Sequence, residues 1–81
     1  MLSLNYDLKY DILSIGIGDK KNSYGDEEYG GLLVIRNEET SSITGFMIFG
    51  FGEKYKNNAL PPFPDGISIS IEDEILPFIE L

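Results

Sequence analysis

The side chains that most often do chemistry are missing or scattered. The chain has no histidine and no cysteine. That removes the commonest general acid or base, the usual partner of a catalytic serine, and the usual ligands of transition metals. A nucleophile would have to be an unassisted Ser or Thr, or a Lys, and no spacing singles one out. Carboxylates are plentiful and clustered, as Asp26-Glu27-Glu28, Glu38-Glu39 and Glu72-Asp73-Glu74. A glycosidase pair must flank a cleft at a defined separation, whereas adjacent acids among turn residues read as solvated charges.

Three short patterns resemble ligand motifs and fail on inspection. Counted as a calcium loop from Asp19, the third position is Lys21, the sixth Tyr24 and the twelfth Gly30. An EF-hand needs an oxygen ligand, Gly and Glu there. Gly16-Ile17-Gly18 opens like a dinucleotide fingerprint, but Lys21 stands where its third glycine belongs. Gly50-Phe51-Gly52 fails in the same way at Tyr55. Both pairs read better as glycines that permit bends. The expectation is a non-enzymatic chain with no catalytic residue, no metal ligand and no cofactor.

The elements that position these residues read mostly as strands. Leu2, Leu4 and Tyr6 alternate with Ser3, Asn5 and Asp7, but Leu13, Ile15 and Ile17 continue on the odd positions. A period of two cannot change parity within one flat strand, so a turn falls near residues 8–10 and a second strand occupies 11–17. Residues 19–30 are polar and turn-rich, with room for one short strand near Ser23-Tyr24. Residues 31–37 are a continuous apolar run and 43–51 are rich in aromatic and β-branched residues, which together predict a hairpin.

In that hairpin Ile43, Met47, Phe49 and Phe51 fall on one face, and Phe46 and Ile48 on the other. The preceding strand likewise divides Leu32 and Val34 from Leu33 and Ile35. A sheet apolar on both sides needs cover on both, and the tail can supply only one.

Residues 53–58 are a polar loop or short helical turn. Pro61, Pro62 and Pro64 then exclude regular helix or central strand from the connection 57–66. Residues 67–71 alternate as an extended segment. Ser70-Ile71-Glu72-Asp73 has the form of a capping box, with Ile71, Ile75, Phe78 and Ile79 at helical spacing beyond it. Pro77 inside a helix would cost about 3 kcal/mol, so the tail 67–81 ends either in a short helix stopping or kinking near Pro77 or as an extended tail. The resulting fold class is α+β, mostly β: one domain holding a small antiparallel meander of three to five strands (sheet core 2–52) and a short C-terminal helix or extended tail.

Composition narrows the partners. Eighty-one residues bury only about 60–65% of their unfolded surface, and a marginal core without disulfides gains from association, so a homodimer is expected. Fourteen acids against six bases give a net charge of −8. That repels phosphates, and direct binding to nucleic acid or an anionic membrane is not expected. A basic protein is attracted instead. The longest mostly apolar run is far short of the about 20 residues of a membrane helix, and residues 1–7 lack a signal-peptide pattern. With no cysteine the expected compartment is the cytoplasm. Tyr24, Tyr29 and Tyr55 are candidate exposed anchors. Glu72, Asp73, Glu74 and Glu80 are candidate steering charges, with Phe78 an apolar contact among them.

Two stretches resemble the YuzE-like family of small prokaryotic and phage-borne proteins. Tyr6-Asp7-Leu8-Lys9-Tyr10-Asp11-Ile12-Leu13-Ser14-Ile15 is similar to that family's opening Tyr-Asp, three variable residues, Asp and alternating apolar positions. Gly31-Leu32-Leu33-Val34-Ile35-Arg36-Asn37 and Ile43-Thr44-Gly45-Phe46-Met47-Ile48 are similar to its later strand pair. The resemblance spans residues 4–51 and implies an antiparallel meander with a little helix and no established activity. Some members look like antitoxin halves of gene pairs with small basic toxins. The long loop 19–30 and the Pro-rich apolar tail depart from the family, and no site residue carries over. The function expected is an antitoxin-like binding module for a basic protein. A DNA-mimicking inhibitor (anti-restriction or anti-CRISPR) and a small-molecule-binding domain are the alternatives.

Overall fold

The computed structural model describes residues 2–18, 22–27, 29–64 and 66–79, with Tyr29 described by its backbone alone. Five strands form one antiparallel sheet: β1 (Ser3–Asp7), β2 (Ile12–Gly16), β3 (Ser23–Glu27), β4 (Leu32–Asn37) and β5 (Ile43–Phe49). Their spatial order is β1-β2-β5-β4-β3. A two-stranded hairpin and a three-stranded meander are thus joined by the pairing of β2 with β5. The predicted break at residues 8–10 is the β1–β2 turn, where Asp7 Oδ1 accepts the Tyr10 amide at 3.2 Å. The single strand expected near Ser23-Tyr24 extends to Glu27.

β5 is central because it is the longest and most apolar strand, and a neighbour on each side satisfies its backbone. Close approach on the β2 side needs a residue without a side chain. A Cβ on Gly45 would stand 2.6 Å from the Ile15 carbonyl oxygen. On the β4 side the register slips between Ile35 and Arg36. There the Thr44 hydroxyl, 7% exposed, donates to the Ile35 carbonyl at 3.3 Å and lies 3.3 Å from Ser23 Oγ.

The core lies on one sheet face. Leu13, Ile15, Leu32, Val34, Phe46 and Ile48 are fully buried there with Phe51 and Ile75. The expectation that Phe51 continues β5 on the face of Met47 and Phe49 is corrected. Gly50 takes a left-handed conformation (φ 69°), the strand ends at Phe49, and helix α1 (Phe51–Lys56) begins with Phe51 turned into the core. Ile43 also packs toward the core, beyond the register slip.

The Pro-rich connection is part of the cover rather than a linker. Pro61 is buried near Gly30, and Phe63 packs on Phe46 with ring centroids 5.0 Å apart. Leu60, Ile67, Ile69, Ile71, Leu76 and Ile79 follow onto the same cluster. The chain then closes in a wide helical turn (Ile71–Ile75) and a tight one (Leu76–Phe78). Pro77 falls at the start of the second turn, where no amide hydrogen is needed, and this resolves its conflict with a continuous helix. The capping box forms with a shifted partner. Ser70 Oγ accepts the Asp73 amide at 3.3 Å, and Glu74, not Asp73, accepts the Ser70 amide at 2.9 Å. The wider turn explains the shift, since it places the reciprocal carboxylate one residue later.

Candidate binding surfaces

The most heavily bonded charged group is Asp11. It sits at the end of the β1–β2 turn with φ 56°, a conformation Asp tolerates better than most residues. Its carboxylate accepts the Tyr6 hydroxyl at 2.5 Å, the Gly52 amide at 2.6 Å and the Glu53 amide at 3.1 Å. Its carbonyl accepts the Gly50 and Phe51 amides at 2.8 and 3.0 Å. Asp11 therefore caps α1 from across the fold, where the local cap residue, Gly50, has no side chain to offer. Burial works against its charge, but the Tyr6 hydroxyl, the two amides and the nearby Lys56 outweigh it and hold the carboxyl below its ordinary value. The same bond, with burial and the Asp11 and Asp7 charges, pushes the Tyr6 hydroxyl up to about 12. Both carboxylate oxygens are occupied, so the group serves structure and offers no free base.

A groove of about 660 Å³ opens beside the edge strand β1. Leu2, Leu4 and Phe78 form its apolar lining, and Asp73 and Glu74 its charged side. Phe78 is 72% exposed, so a large aromatic ring stands uncovered at the groove.

The second surface is the sheet face opposite the core. The strand registers bring Ile12, Phe49, Met47, Leu33 and Ile35 together on it. None of them belongs to the core cluster or packs against it; Phe49 is 41% exposed, and Ile12, Leu33, Ile35 and Met47 are half-buried. Among the described residues the tail and α1 both pack on the core side, and neither covers this face. The strand positions around the apolar group are Ser3, Asn5, Asp7, Ser14, Gly16, Gly25, Glu27 and Gly45. Asp7 and Glu27 lie at its opposite edges, and none of these positions is basic.

Of the residues singled out from sequence, the structure brings Asp73, Glu74 and Phe78 into one groove, with Glu72 exposed on the same turn. Tyr24 is exposed on β3, at the far edge of the sheet. Tyr55 is corrected: it stacks on Phe51, rings 6.3 Å apart and 15° from parallel, and is half-buried. Helical spacing put Tyr55 four residues after a core phenylalanine, and the two pack as such pairs do. The Tyr29 side chain, Glu80, and Asp19, Lys21 and Glu28 of the rejected calcium pattern lie outside the described residues. Among the described residues no group of three or more acids could hold a metal ion, and no helix is long and apolar enough to cross a membrane.

Sequence reasoning missed Leu2, Leu4 and Asp11. The alternation of Leu2 and Leu4 was visible, but not that β1 is an edge. For Asp11 the parity change marked the turn, while nothing local pointed to Gly52. No family model matches the chain, and neither curated proteins nor solved structures contain a match.

Proposed function

We propose that this chain is a non-enzymatic, antitoxin-like binding module that takes a basic protein partner on its open sheet face, in the cytoplasm. The observation that carries this reading is the apolar group Ile12, Leu33, Ile35, Met47 and Phe49, with Asp7 and Glu27 at its opposite edges and the Lys54 ammonium bonded to the Phe49 carbonyl at one end. An apolar centre with a charged rim is the usual anatomy of a protein interface. Acids at both edges select a partner with Lys or Arg flanking its apolar contact and reject an acidic one. A second copy of the chain is the competing occupant, and it would bring like charges together.

The described acids support a protein partner over mimicry of DNA. Asp7 and Glu27 lie at opposite sheet edges, Glu38 and Glu39 in the β4–β5 turn, Glu53 on α1, and Glu72 to Glu74 on the C-terminal turn. Phosphate mimicry calls for a continuous row.

The test is affinity capture on immobilised protein, comparing the natural chain with Met47→Lys and Leu33→Lys variants of unchanged thermal midpoint. A basic protein retained by the natural chain, released by added salt and lost by both variants supports the reading. Identical retained proteins on all three would overturn it.

A further inference from the structure

We infer that the outer edge of β1 is a strand-acceptor site for an extended segment of a basic protein, with apolar and cationic side chains alternating along one side. This shares with the proposed function only the class of partner, and it concerns a different surface.

Three observations meet at this edge. First, β1 is terminal in the sheet, and all five of its residues pair in unbroken register with β2. Among the described residues, the backbone hydrogen bonds formed outside the regular elements do not involve residues 2–7. Among the described residues, one row of its amide and carbonyl groups therefore has no backbone partner. Second, β1 carries few of the devices that blunt an edge, its one charge being Asp7 at its last position. Ser3-Leu4-Asn5-Tyr6-Asp7 has no Pro, no Lys and no bulge. The other edge, β3, presents exposed Asp26 and Glu27 and is weakened by Gly25. Third, the groove lined by Leu2, Leu4, Phe78, Asp73 and Glu74 runs beside this edge.

Strand addition uses all three. A sixth strand would lie about 4.8 Å from β1, with its main chain completing the unpaired row. Every second side chain would then point to the groove side. An apolar one meets Leu4 and the uncovered Phe78 ring. A Lys or Arg two residues along reaches Asp73 and Glu74. Intervening side chains fall beside Asn5 and Asp7 on the opposite face. Charge selects the occupant: among the described residues the groove is lined by two carboxylates and no cation, so an acidic edge strand, including β1 of a second copy, is disfavoured.

The probe is a synthetic octapeptide, Lys-Thr-Leu-Thr-Lys-Thr-Leu-Thr, titrated into the intact protein and followed by NMR. Hydrogen exchange at the alternate amides of residues 3–7 that face away from β2 should slow by about tenfold or more at saturation, as expected for newly bonded edge groups. The same peptide N-methylated at alternate residues, in both possible registers, should bind about tenfold more weakly in at least one, the loss of about one net main-chain bond. Phe78→Ala and Asp73→Lys should each weaken the unmethylated peptide by about fivefold or more, since neither side chain is needed for the core. Absence of binding, equal affinity for both methylated forms and the parent, or unchanged exchange at β1 would overturn the inference. These outcomes separate from the proposed function. If the octapeptide fails while the Met47→Lys variant still loses a captured basic protein, only the strand-acceptor site falls. If it binds and the sheet-face variants retain every captured protein, only the sheet-face reading falls.

Discussion

The Asp11 carboxylate accepts the Gly52 amide at 2.6 Å, although the two residues are 41 apart in sequence. One bond thus ties the first hairpin of the sheet to the first turn of α1, and the Tyr6 hydroxyl on the same oxygen ties in β1. A helix of six residues cannot hold itself in water, so this long-range cap is part of what keeps Phe51 in the core.

Replacing Asp11 by Ala should destabilise the protein by about 1–2 kcal/mol, the cost of a lost helix cap. Asp11→Asn keeps one acceptor and tolerates the left-handed backbone, so its loss should be smaller. The sign of the pH dependence follows from a folded value lowered from 3.8. The charge-linked part of the stabilisation is present above that pH and is lost as pH falls through the folded value. Denaturant unfolding at neutral and acid pH should show the gap between the natural chain and Asp11→Asn closing in acid.

Tyr6 acts at the other end of the scale. Its hydroxyl is raised from 10.0 to about 12, so the folded state favours the protonated form. That stabilisation is complete below pH 10 and is lost as pH rises through about 12. Thermal midpoints of the natural chain should fall in this window more steeply than those of Tyr6→Phe. Parallel curves would show that the hydroxyl does not remain bonded to Asp11.

Gly45→Ala should cost about 1–3 kcal/mol, because the new methyl meets the Ile15 carbonyl between the two central strands and neither backbone can move aside easily. Gly18→Ala is the control. Nothing lies within 4 Å of its new methyl, and its unfolding midpoint should barely change.

Self-association through the open sheet face should be weak at low ionic strength and grow with added salt. Asp7 and Glu27 repel their copies when two such faces meet, and salt screens charges over about 10 Å at 0.1 M. Sedimentation equilibrium across a salt series reads this directly. Association that weakens with salt would mean that opposite charges, not apolar contact, join the copies.

Much of this protein was determined by local pattern. The parity change between Tyr6 and Leu13 placed a turn, the run from Leu32 to Ile35 with the segment around Phe46 gave the hairpin, and apolar residues on both faces of that hairpin exposed the need for cover. Such features follow from side-chain alternation and turn sterics, which act over a few residues. Other decisions belonged to the tertiary structure. Phe51 leaves its apparent strand because Gly50 can turn left-handed, and Phe78 stays outside although its helical spacing matches Ile71 and Ile75. Asp73, Glu74 and Phe78 meet Leu2 and Leu4 only because β1 is an edge and the tail crosses beside it. β2 adjoins β5 rather than β3 because the most apolar strand is best buried at the centre. Closing the longer loop costs little extra entropy, so no local signal has to announce that pairing.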